Sequence, residues 1–256
     1  MRFRVVIPAR LASTRLPEKP LRPILGEPMI RHVCRRALEG GAEQVVVATD
    51  APSIAEACDD LPVETLVTSG THASGTDRIA EVVARLSWPD ETIVVNLQGD
   101  EPLMPPVLLR QVAEVLRDHP GADIATLCTP IALAEEFFDP HVVKVVCDDR
   151  GRALYFSRAP IPFDRDEFVT ASPSLPEGVP HLRHLGIYAY RAGFLRRWPE
   201  LPHSALERSE MLEQLRALVQ GARIQVAEAV EVPGPGVDTA EDLLRAERLL
   251  AESASA

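Results

Sequence analysis

The chain opens with a short β-branched run, which is followed by a cationic loop and then by a helical pattern. Residues 5–7 (Val-Val-Ile) favour a strand that is buried on both faces. Pro8 is predicted to end that strand, because proline cannot donate to a sheet ladder. The helical pattern begins at Pro28, a residue type that suits a first helical turn. A strand, a loop and a helix in this order form the unit at which α/β proteins bind phosphate groups.

The loop carries three cations, Arg10, Arg15 and Lys19, among small or hydroxylated residues such as Ser13. The chain as a whole is acidic, with 27 Lys and Arg against 38 Asp and Glu and a net charge of -11. Three cations in one loop are therefore a local departure from the average. One interpretation is a cradle for a triphosphate, and the other is a solvated basic loop with ordinary salt bridges.

Composition excludes several classes of protein. A net charge of -11 argues against a general nucleic-acid surface, which needs a broad basic patch. Residue 1 leads directly into a strand pattern, so we expect no signal peptide, and no apolar run approaches the length of a membrane span. The cysteines are spread along apolar runs without a CxxC pair, which predicts buried free thiols in a reducing compartment, the cytoplasm. They are Cys34, Cys58, Cys128 and Cys147.

Strand and helix patterns alternate through the first half of the chain. Strands are predicted at residues 44–49, 63–68, 92–97 and 123–129, and helices at 28–38, 77–86 and 107–117. This rhythm predicts a Rossmann-like α/β fold with a mostly parallel central sheet. Residues 1–130 and 206–256 are assigned to the nucleotide-binding core.

The rhythm changes after residue 130. Residues 142–147 and 153–156 read as a β-hairpin, and residues 184–190 as a further strand. The proline-rich segment 159–179 is too long for a simple connection and is expected to form a lid or an interface arm. Residues 131–205 are therefore predicted to form an inserted antiparallel subdomain. Its apolar hairpin would be exposed in a monomer, which suggests a homodimer.

Polar residues follow several of the predicted strands. Asp50 either contacts a ribose or base or caps the helix from Pro52, and the cap is the favoured interpretation. Thr76 is predicted to cap the helix at 77–86. Arg78 would then lie in the first helical turn, against the helix dipole. It either holds an anion there or is an exposed arginine without a role.

The strand at 92–97 runs into Gln98, Gly99, Asp100 and Glu101. Ligands of open α/β sheets bind beyond the carboxyl ends of the strands, and glycine lets the backbone come close to a ligand. A carboxylate at Asp100 next to a triphosphate suits Mg²⁺, which keeps most of its shell as water and phosphate oxygen. The alternative is that Asp100 or Glu101 only shapes the turn.

Two features of the C-terminal third carry further candidates. A helix is predicted at 206–219, and Glu213 and Gln214 lie beside its apolar stripe, where most charges are simply solvated. Asp238 precedes a helix at 239–250. It is either an N-cap with Glu241 completing a capping box or a second metal carboxylate. The rigid approach through Gly234 and Gly236 favours the carboxylate, since capping alone does not need it.

Seven motifs, in order along nearly the whole chain, resemble the 3-deoxy-manno-octulosonate cytidylyltransferase family. They are IPARxxSTRLPxKPL (7–21), SGTDR (74–78), NLQGDEP (96–102), ALYFSR (153–158), RHLGIYAYR (183–191), EMLEQLR (210–216) and GVDTAEDL (236–243). The resemblance implies a nucleotide-diphospho-sugar transferase fold. It also implies transfer of CMP from CTP to the anomeric 2-hydroxyl of 3-deoxy-manno-octulosonate (Kdo), with release of pyrophosphate, for lipopolysaccharide assembly.

The resemblance also implies a role for each matching residue. Arg10, Lys19, Asp100 and Asp238 would be catalytic, and Asp100 and Asp238 would hold Mg²⁺. The nucleotide would be bound by Arg10, Ser13, Arg15, Lys19, Ser74, Arg78, Gln98, Gly99 and Asp100. The sugar would be bound by Arg158, His184, Tyr188, Glu213 and Gln214. CTP and Kdo are the implied small-molecule partners, in a homodimer that binds neither nucleic acid nor membrane.

Two positions depart from the family pattern, and other functions stay open. Glu18 replaces the usual glycine and puts an acid beside Lys19, which bears on triphosphate affinity, whereas Ala240 for the usual proline should matter little. A cytidylyltransferase for another acidic sugar, of the sialic acid type, is the nearest alternative. A non-catalytic nucleotide-binding regulator would lack the carboxylates or the loop cations. A glycosyltransferase usually carries a DxD pair, whereas Asp100 stands in GDEP.

Overall fold

The computed structural model describes residues 1–13, 15–168, 174–176 and 178–254. Thr14 and parts of the proline-rich segment predicted at 159–179 lie outside the described residues. The strands are β1 (Arg4–Ala9), β2 (Pro23–Ile24), β3 (Glu27–Pro28), β4 (Gln44–Thr49), β5 (Glu64–Val67), β6 (Ile93–Asn96), β7 (Ile124–Pro130), β8 (Lys144–Cys147), β9 (Ala153–Ser157), β10 (Leu182–Arg191) and β11 (Ile224–Glu228). The α-helices are α1 (Met29–Glu39), α2 (Pro52–Glu56), α3 (Gly75–Arg85), α4 (Pro106–Asp118), α5 (Ala134–Phe138), α6 (Ala192–Arg197), α7 (Ala205–Glu210), α8 (Gln214–Val219) and α9 (Ala240–Ala254).

The chain divides into two compact units. Unit 1 comprises Met1–Glu114, Ala189–Pro199 and Val230–Ala256, and unit 2 comprises Val115–Tyr188 and Glu200–Ala229. This division differs from the predicted one. The second unit begins before residue 131. It also includes residues 206–229, which the sequence assigns to the nucleotide-binding core. They belong to unit 2 because β11, within this segment, pairs with β7.

Unit 1 contains a parallel sheet with the strand order β6-β1-β4-β5. Its central strands are short apolar runs without alternation, as expected for a sheet that helices cover. α1 and α3 pack against β1, and α2 packs against β4 and β5. The prediction of an α/β fold with a mostly parallel central sheet is confirmed.

The prediction that Pro8 ends the first strand is wrong. β1 continues to Ala9, with Pro8 opposite Ala48 of β4. The carbonyl of Val6 accepts a hydrogen bond from the backbone N–H of Leu97, which follows β6. Backbone groups two residues apart on a strand point to the same side, so those of Val6 and Pro8 both point toward β6. The pairing with β6 reaches only to Val6. Pro8 therefore faces the side on which the ladder has ended, where its missing N–H leaves no strand partner unsatisfied.

Unit 2 contains the predicted hairpin. β8 pairs antiparallel with β9 and with β10, and β11 pairs parallel with β7. α8 packs against β9, and α7 packs against α8. The antiparallel pairs predicted for this part of the chain are therefore present.

The helix predicted at 206–219 is two helices, α7 and α8. α7 begins with a capping box between Ser204 and Glu207 and ends at Met211, whose backbone is left-handed with φ 52°. The reason for the break is a buried ion pair in which Arg216 Nε donates to Glu207 Oε1 at 3.0 Å. Residues nine positions apart lie about two and a half turns apart on a continuous helix, on opposite sides. Only a broken helix lets these two side chains meet.

The prediction of free thiols is confirmed. Cys34, Cys58 and Cys128 are buried and free, and Cys147 is free but half-buried. Within the described ranges, no helix is both long enough and apolar enough to cross a bilayer.

Candidate functional site

Two carboxylates from distant parts of unit 1 meet at one lysine. Lys19 Nζ donates to Asp100 Oδ2 at 2.6 Å and to Asp238 Oδ1 at 3.0 Å. Lys19 is largely buried, whereas the two acids are partly exposed. Burial lowers the pKa of Lys19, but the hydrogen bonds and charges of the two acids outweigh it, so the pKa is raised above its ordinary value. The ammonium group is therefore a fixed positive charge between two carboxylates.

A small apolar cluster brings these residues together. Leu16 and Val237, which flank Lys19 and Asp238 in sequence, are buried in the same cluster with Ile24, Met29, Ala246 and Leu250. The backbone N–H of Val237 also donates to the Asp100 carbonyl at 2.9 Å. Gly236 packs closely against the side chain of Glu101, since a Cβ at this glycine would lie 2.9 Å from Glu101 Oε1. Hydrophobic burial thus positions the two acids.

Asp238 is not the cap of α9. Thr239 Oγ1 accepts from the backbone N–H of Asp242 at 3.2 Å, and Asp242 Oδ2 accepts from the backbone N–H of Thr239 at 2.9 Å. This is the capping-box arrangement, made by Thr239 and Asp242 instead of the Asp238 and Glu241 considered from sequence. The Asp238 carboxylate is thereby left for Lys19 and for Arg15, whose Nη2 lies 3.0 Å from Asp238 Oδ2.

The N-terminal loop presents the remaining cations. Arg15 is exposed, and so is Arg10, which makes no hydrogen bond or ion pair with the described residues. Glu18 has a left-handed backbone, with φ 54° and ψ 33°. Glycine adopts this conformation without steric cost. Glu18, at a position where the motif resemblance leads us to expect glycine, is therefore mildly strained.

A pocket of about 520 Å³ lies beside this loop in unit 1. It is lined by Leu11, Ala12, Ser13, Pro17, Glu18, Asp50, Ala51 and Gly70. A hydrogen bond connects the loop to the opposite wall of the pocket, because the backbone N–H of Leu11 donates to Asp50 Oδ1 at 3.1 Å. The pocket is an open and largely apolar surface, with Ser13, Glu18 and Asp50 as its polar side chains, and it lies next to exposed cations.

Asp50 and Arg78 form a buried support for this pocket. Arg78 is almost fully buried, and its guanidinium donates to Asp50 Oδ2 at 3.3 Å and to Thr68 Oγ1 at 2.5 Å. The predicted cap of α2 by Asp50 is wrong, because Ala51 is the N-cap residue and no side chain caps it. An exposed Arg78 is also wrong. The cation near the start of α3 is instead compensated by the Asp50 carboxylate.

The other nucleotide candidates lie around the first turn of α3. Ser74, rather than the predicted Thr76, caps this helix by accepting from the backbone N–H of Asp77 at 3.2 Å. Gln98 donates to Asn96 Oδ1 at 3.0 Å. A Cβ on Gly99 would lie 3.0 Å from the Pro8 carbonyl oxygen, so this glycine is required by the close approach of β1 rather than by a ligand alone.

Arg158, the first of the sugar candidates, is held by Glu210 in unit 2. Its backbone N–H donates to Glu210 Oε2 at 3.0 Å, its Nε donates to the Glu210 carbonyl at 2.8 Å, and its Nη1 donates to the Pro140 carbonyl at 3.0 Å. Ser157 Oγ donates to Glu210 Oε1 at 2.6 Å. Glu210 was not predicted as a site residue, although it is the first residue of the EMLEQLR motif.

His184 is buried in unit 2. Its Nε2 lies 3.0 Å from Thr126 Oγ1, and its ring contacts Phe156 and Tyr188 at centroid distances of 4.9 and 5.3 Å. Burial lowers the pKa of His184 to about 3, so the imidazole is neutral at physiological pH. Of the other candidates, Glu213 is half-buried at the start of α8 and Gln214 is buried.

A divalent metal would have a limited protein ligand set. Among the described residues, no group of three or more His, Cys, Asp or Glu side chains is arranged to hold a metal ion. Asp100 and Asp238 nevertheless converge on one cation, the Lys19 ammonium. Two carboxylates fit a Mg²⁺ ion whose remaining ligands are phosphate oxygens and water.

The comparisons with known proteins agree on one family. A family described as Cytidylyltransferase matches residues 4–224. The chain belongs to the cytidylyltransferase family. A 3-deoxy-manno-octulosonate cytidylyltransferase of Halorhodospira halophila is 59% identical over 94% of each chain. The enzyme of the same name from Alkalilimnicola ehrlichii is 58% identical over 98% of this chain and 96% of its own.

A solved structure extends this similarity to the fold. The structure of CMP:2-keto-3-deoxy-manno-octonic acid synthetase complexed with CTP matches with a TM-score of 0.89 and 43% identity. It covers 98% of this chain and 99% of that chain. As a cytidylyltransferase, the chain is therefore a nucleotidyltransferase with the fold of this synthetase.

Proposed function

We propose that this cytidylyltransferase transfers CMP from CTP to the anomeric 2-hydroxyl of Kdo and releases pyrophosphate. The relatives described above carry that name, and the solved neighbour is described with CTP bound. The observation that carries the proposal is the junction of Lys19 with Asp100 and Asp238. Such a junction supports the proposal because it combines a cation for the phosphates with carboxylates for a metal ion.

The N-terminal loop is the proposed triphosphate site. CTP is strongly anionic, and the chain has a net charge of -11, so local cations must supply the attraction. Arg10, Arg15 and Lys19 supply them beside the loop pocket. In the reaction, the sugar oxygen forms a bond to the α-phosphorus while the bond to pyrophosphate breaks. Cations that neutralise the leaving pyrophosphate lower the barrier without covalent chemistry by a side chain.

We propose Mg²⁺ as the cofactor, with Asp100 and Asp238 as its protein ligands. Their convergence on the Lys19 ammonium supports this assignment, since a site that fits one cation suits another. When bound, the ion would neutralise charge on the α-phosphate and lower the pKa of the sugar hydroxyl. Lys19 would then contribute its charge to the phosphates.

Unit 2 supplies the proposed sugar contacts. Kdo carries a carboxylate and several hydroxyls, and the Nη2 group of Arg158 makes no hydrogen bond to the described residues. Arginine binds a carboxylate through charge-assisted hydrogen bonds. The neutral His184, with Tyr188, Glu213 and Gln214, would hydrogen-bond the hydroxyls.

We also propose a cytoplasmic homodimer. The buried free thiols are typical of a reducing compartment. Unit 2 exposes Leu133, Leu154 and Phe163, and Leu154 lies on β9 of the hairpin. Exposed apolar residues on a strand favour burial against another protein surface.

The function is tested by pyrophosphate release from CTP and Mg²⁺. We expect release with Kdo, little with sialic acid and none without a sugar. Turnover with sialic acid alone would replace the proposed substrate with another acidic sugar, and no turnover with either sugar would refute the proposal.

The carboxylate junction is tested by Asp100→Asn. We expect turnover to fall about 100-fold or more, because the proposed Mg²⁺ would lose one of its two protein ligands, and with it part of the charge stabilisation of the reacting phosphate. The melting temperature should stay close to that of the wild type. Asp59→Asn, at an exposed acid of the same unit, serves as the control. A near-normal rate for Asp100→Asn would contradict the proposed role.

A further inference from the structure

Lys144 is a buried lysine to which the proposed reaction assigns no role. It lies at the start of β8 in unit 2 and is fully buried. Its Nζ donates to the backbone carbonyls of Asp139 at 2.9 Å, Val142 at 2.6 Å and Arg158 at 2.7 Å. An ammonium group has three protons, so every donor is used.

These three carbonyls join two segments of the chain. Asp139 and Val142 belong to the segment between α5 and β8, and Arg158 directly follows β9. The lysine therefore fastens the segment 139–142 to the backbone of Arg158. Apart from this fastening, Arg158 is tied to the same segment by its own Nη1, which donates to the Pro140 carbonyl at 3.0 Å.

The guanidinium of Arg158 is thus fixed on two sides. Nη1 is directed to Pro140, within the segment that Lys144 holds, and Nε is directed to the carbonyl of Glu210 at 2.8 Å. The Nη2 group makes no hydrogen bond to the described residues. The orientation of this one remaining donor group depends on the place of the Pro140 carbonyl, and hence on Lys144.

Burying an ammonium group is costly, and an apolar side chain of similar size often gives equal or greater stability. Burial lowers the pKa of Lys144, opposed by the charges of Asp139 and Glu210 and reinforced by that of Arg158. No carboxylate of a described residue accepts a hydrogen bond from its Nζ. A costly group that orders a binding residue is more simply explained by function than by stability.

We propose that Lys144 is a positioning residue that aims Arg158 Nη2 at the carboxylate of the acidic sugar. The inference rests on the proposed function, since it assumes that Arg158 binds the sugar. CTP contacts are proposed only for residues of unit 1, so loss of Lys144 should affect the two substrates differently.

The test is the steady-state kinetics of Lys144→Met and Lys144→Gln. The amide of glutamine keeps two hydrogen-bond donors, so Lys144→Gln should fold even if Lys144→Met does not. We expect KM for Kdo to rise about tenfold, as for loss of one well-placed charge-assisted hydrogen bond, while KM for CTP stays unchanged. Val145→Ala is the control. It removes buried volume from the next residue of β8, which points to the opposite face. It should change neither KM.

A double-mutant cycle with Arg158→Ala decides whether Lys144 acts through Arg158. Adding Lys144→Met to Arg158→Ala should not raise KM for Kdo further. An additive rise, an unchanged KM for Kdo in the single variants, or an equal rise for both substrates would overturn the inference. A wild-type chain without turnover on Kdo would instead refute the proposed function, and this role with it.

Discussion

Lys19 separates two carboxylates that would otherwise repel each other. Its Nζ lies 2.6 Å from Asp100 and 3.0 Å from Asp238, and the lysine side chain is only 15% exposed. In this arrangement the proposed divalent ion would compete with the ammonium for the same oxygens. The chain should therefore bind the metal weakly until a triphosphate supplies further ligands and a new partner for the lysine.

This competition predicts the behaviour of Lys19→Gln. Without nucleotide, the variant should bind Mn²⁺ about tenfold more tightly than the wild type, because two close carboxylates are left without their cation. Its affinity for CTP should fall. Free Mn²⁺ measured by electron paramagnetic resonance checks the first expectation, and calorimetric titration with CTP checks the second. Among the described residues, Arg15 forms an ion pair only with Asp238, so Arg15→Gln should have the smaller effect on Mn²⁺. Unchanged Mn²⁺ affinity in Lys19→Gln would exclude the competition.

His184 makes stability depend on pH. In the folded chain its pKa is about 3, whereas the ordinary value is 6.5. The stability that its neutral form contributes is complete above pH 6.5 and is lost as the pH falls from there toward 3, because only the unfolded chain takes up the proton. Between pH 7.5 and 5.5 this loss is about 1.4 kcal/mol.

His184→Gln should remove that part of the pH dependence. The free energy of unfolding of each protein is measured in urea at pH 7.5 and 5.5, and the wild type should lose about 1.4 kcal/mol more than the variant. Equal losses would mean that the imidazole is protonated in the folded chain.

The same variant also has a kinetic prediction. His184→Gln should raise KM for Kdo more than KM for CTP, because the ring is a proposed sugar contact.

At the scale of elements, the break between α7 and α8 sets the start of α8, where Glu213 and Gln214 lie. Met211 takes a left-handed backbone with φ 52°, and its side chain is 77% exposed. Met211→Gly should raise the free energy of unfolding by roughly 0.5–1 kcal/mol, because glycine adopts this conformation without strain. Met211→Ala, which keeps the Cβ, should not. Stabilisation by alanine as well would attribute the effect to the lost side chain.

The elements themselves were largely predictable from sequence, and their junctions were not. The apolar runs predict the ends of the strands to within two or three residues, because a short apolar run bounded by turn residues is typical of a strand that is buried on both faces. The break at Met211 depends on Arg216 reaching Glu207, a contact between residues that no local pattern connects. The cap by Ser74 instead of Thr76 differs by two residues, the usual uncertainty of a helix start.

In the candidate site, too, single residues are predictable from sequence, whereas contacts between distant residues are mostly not. Asp100 and Asp238 were paired from glycine-bearing approaches and from resemblance, and the structure brings both to Lys19. The contact between Arg78 and Asp50 is not predictable, since a strand end and a helix start reveal no mutual contact in sequence. Their ion pair joins the buried Arg78 to Asp50 in the wall of the loop pocket, and it forms only once the end of β4 and the start of α3 are brought together in unit 1.

At the scale of the whole molecule, the proposed roles follow the two units. The candidate triphosphate and metal residues belong to unit 1, and all five candidate sugar residues belong to unit 2. Substitutions should therefore sort by unit, with those in unit 1 changing nucleotide and metal affinity and those in unit 2 changing KM for the sugar. This pattern is what separates a binding role from general loss of stability.

The proposed homodimer depends on the exposed face of the hairpin in unit 2. Leu154 of β9 is 62% exposed. Leu244 of α9 in unit 1 is 61% exposed, so a substitution of Leu244 is a suitable control for the same substitution of Leu154. Sedimentation of the wild type should give twice the chain mass of 28.0 kDa. Leu154→Glu should give the single-chain mass, because a charge in an apolar interface is costly to bury, whereas Leu244→Glu should leave the dimer intact. A dimer that survives Leu154→Glu, or a monomeric wild type, would place the hairpin outside any such interface.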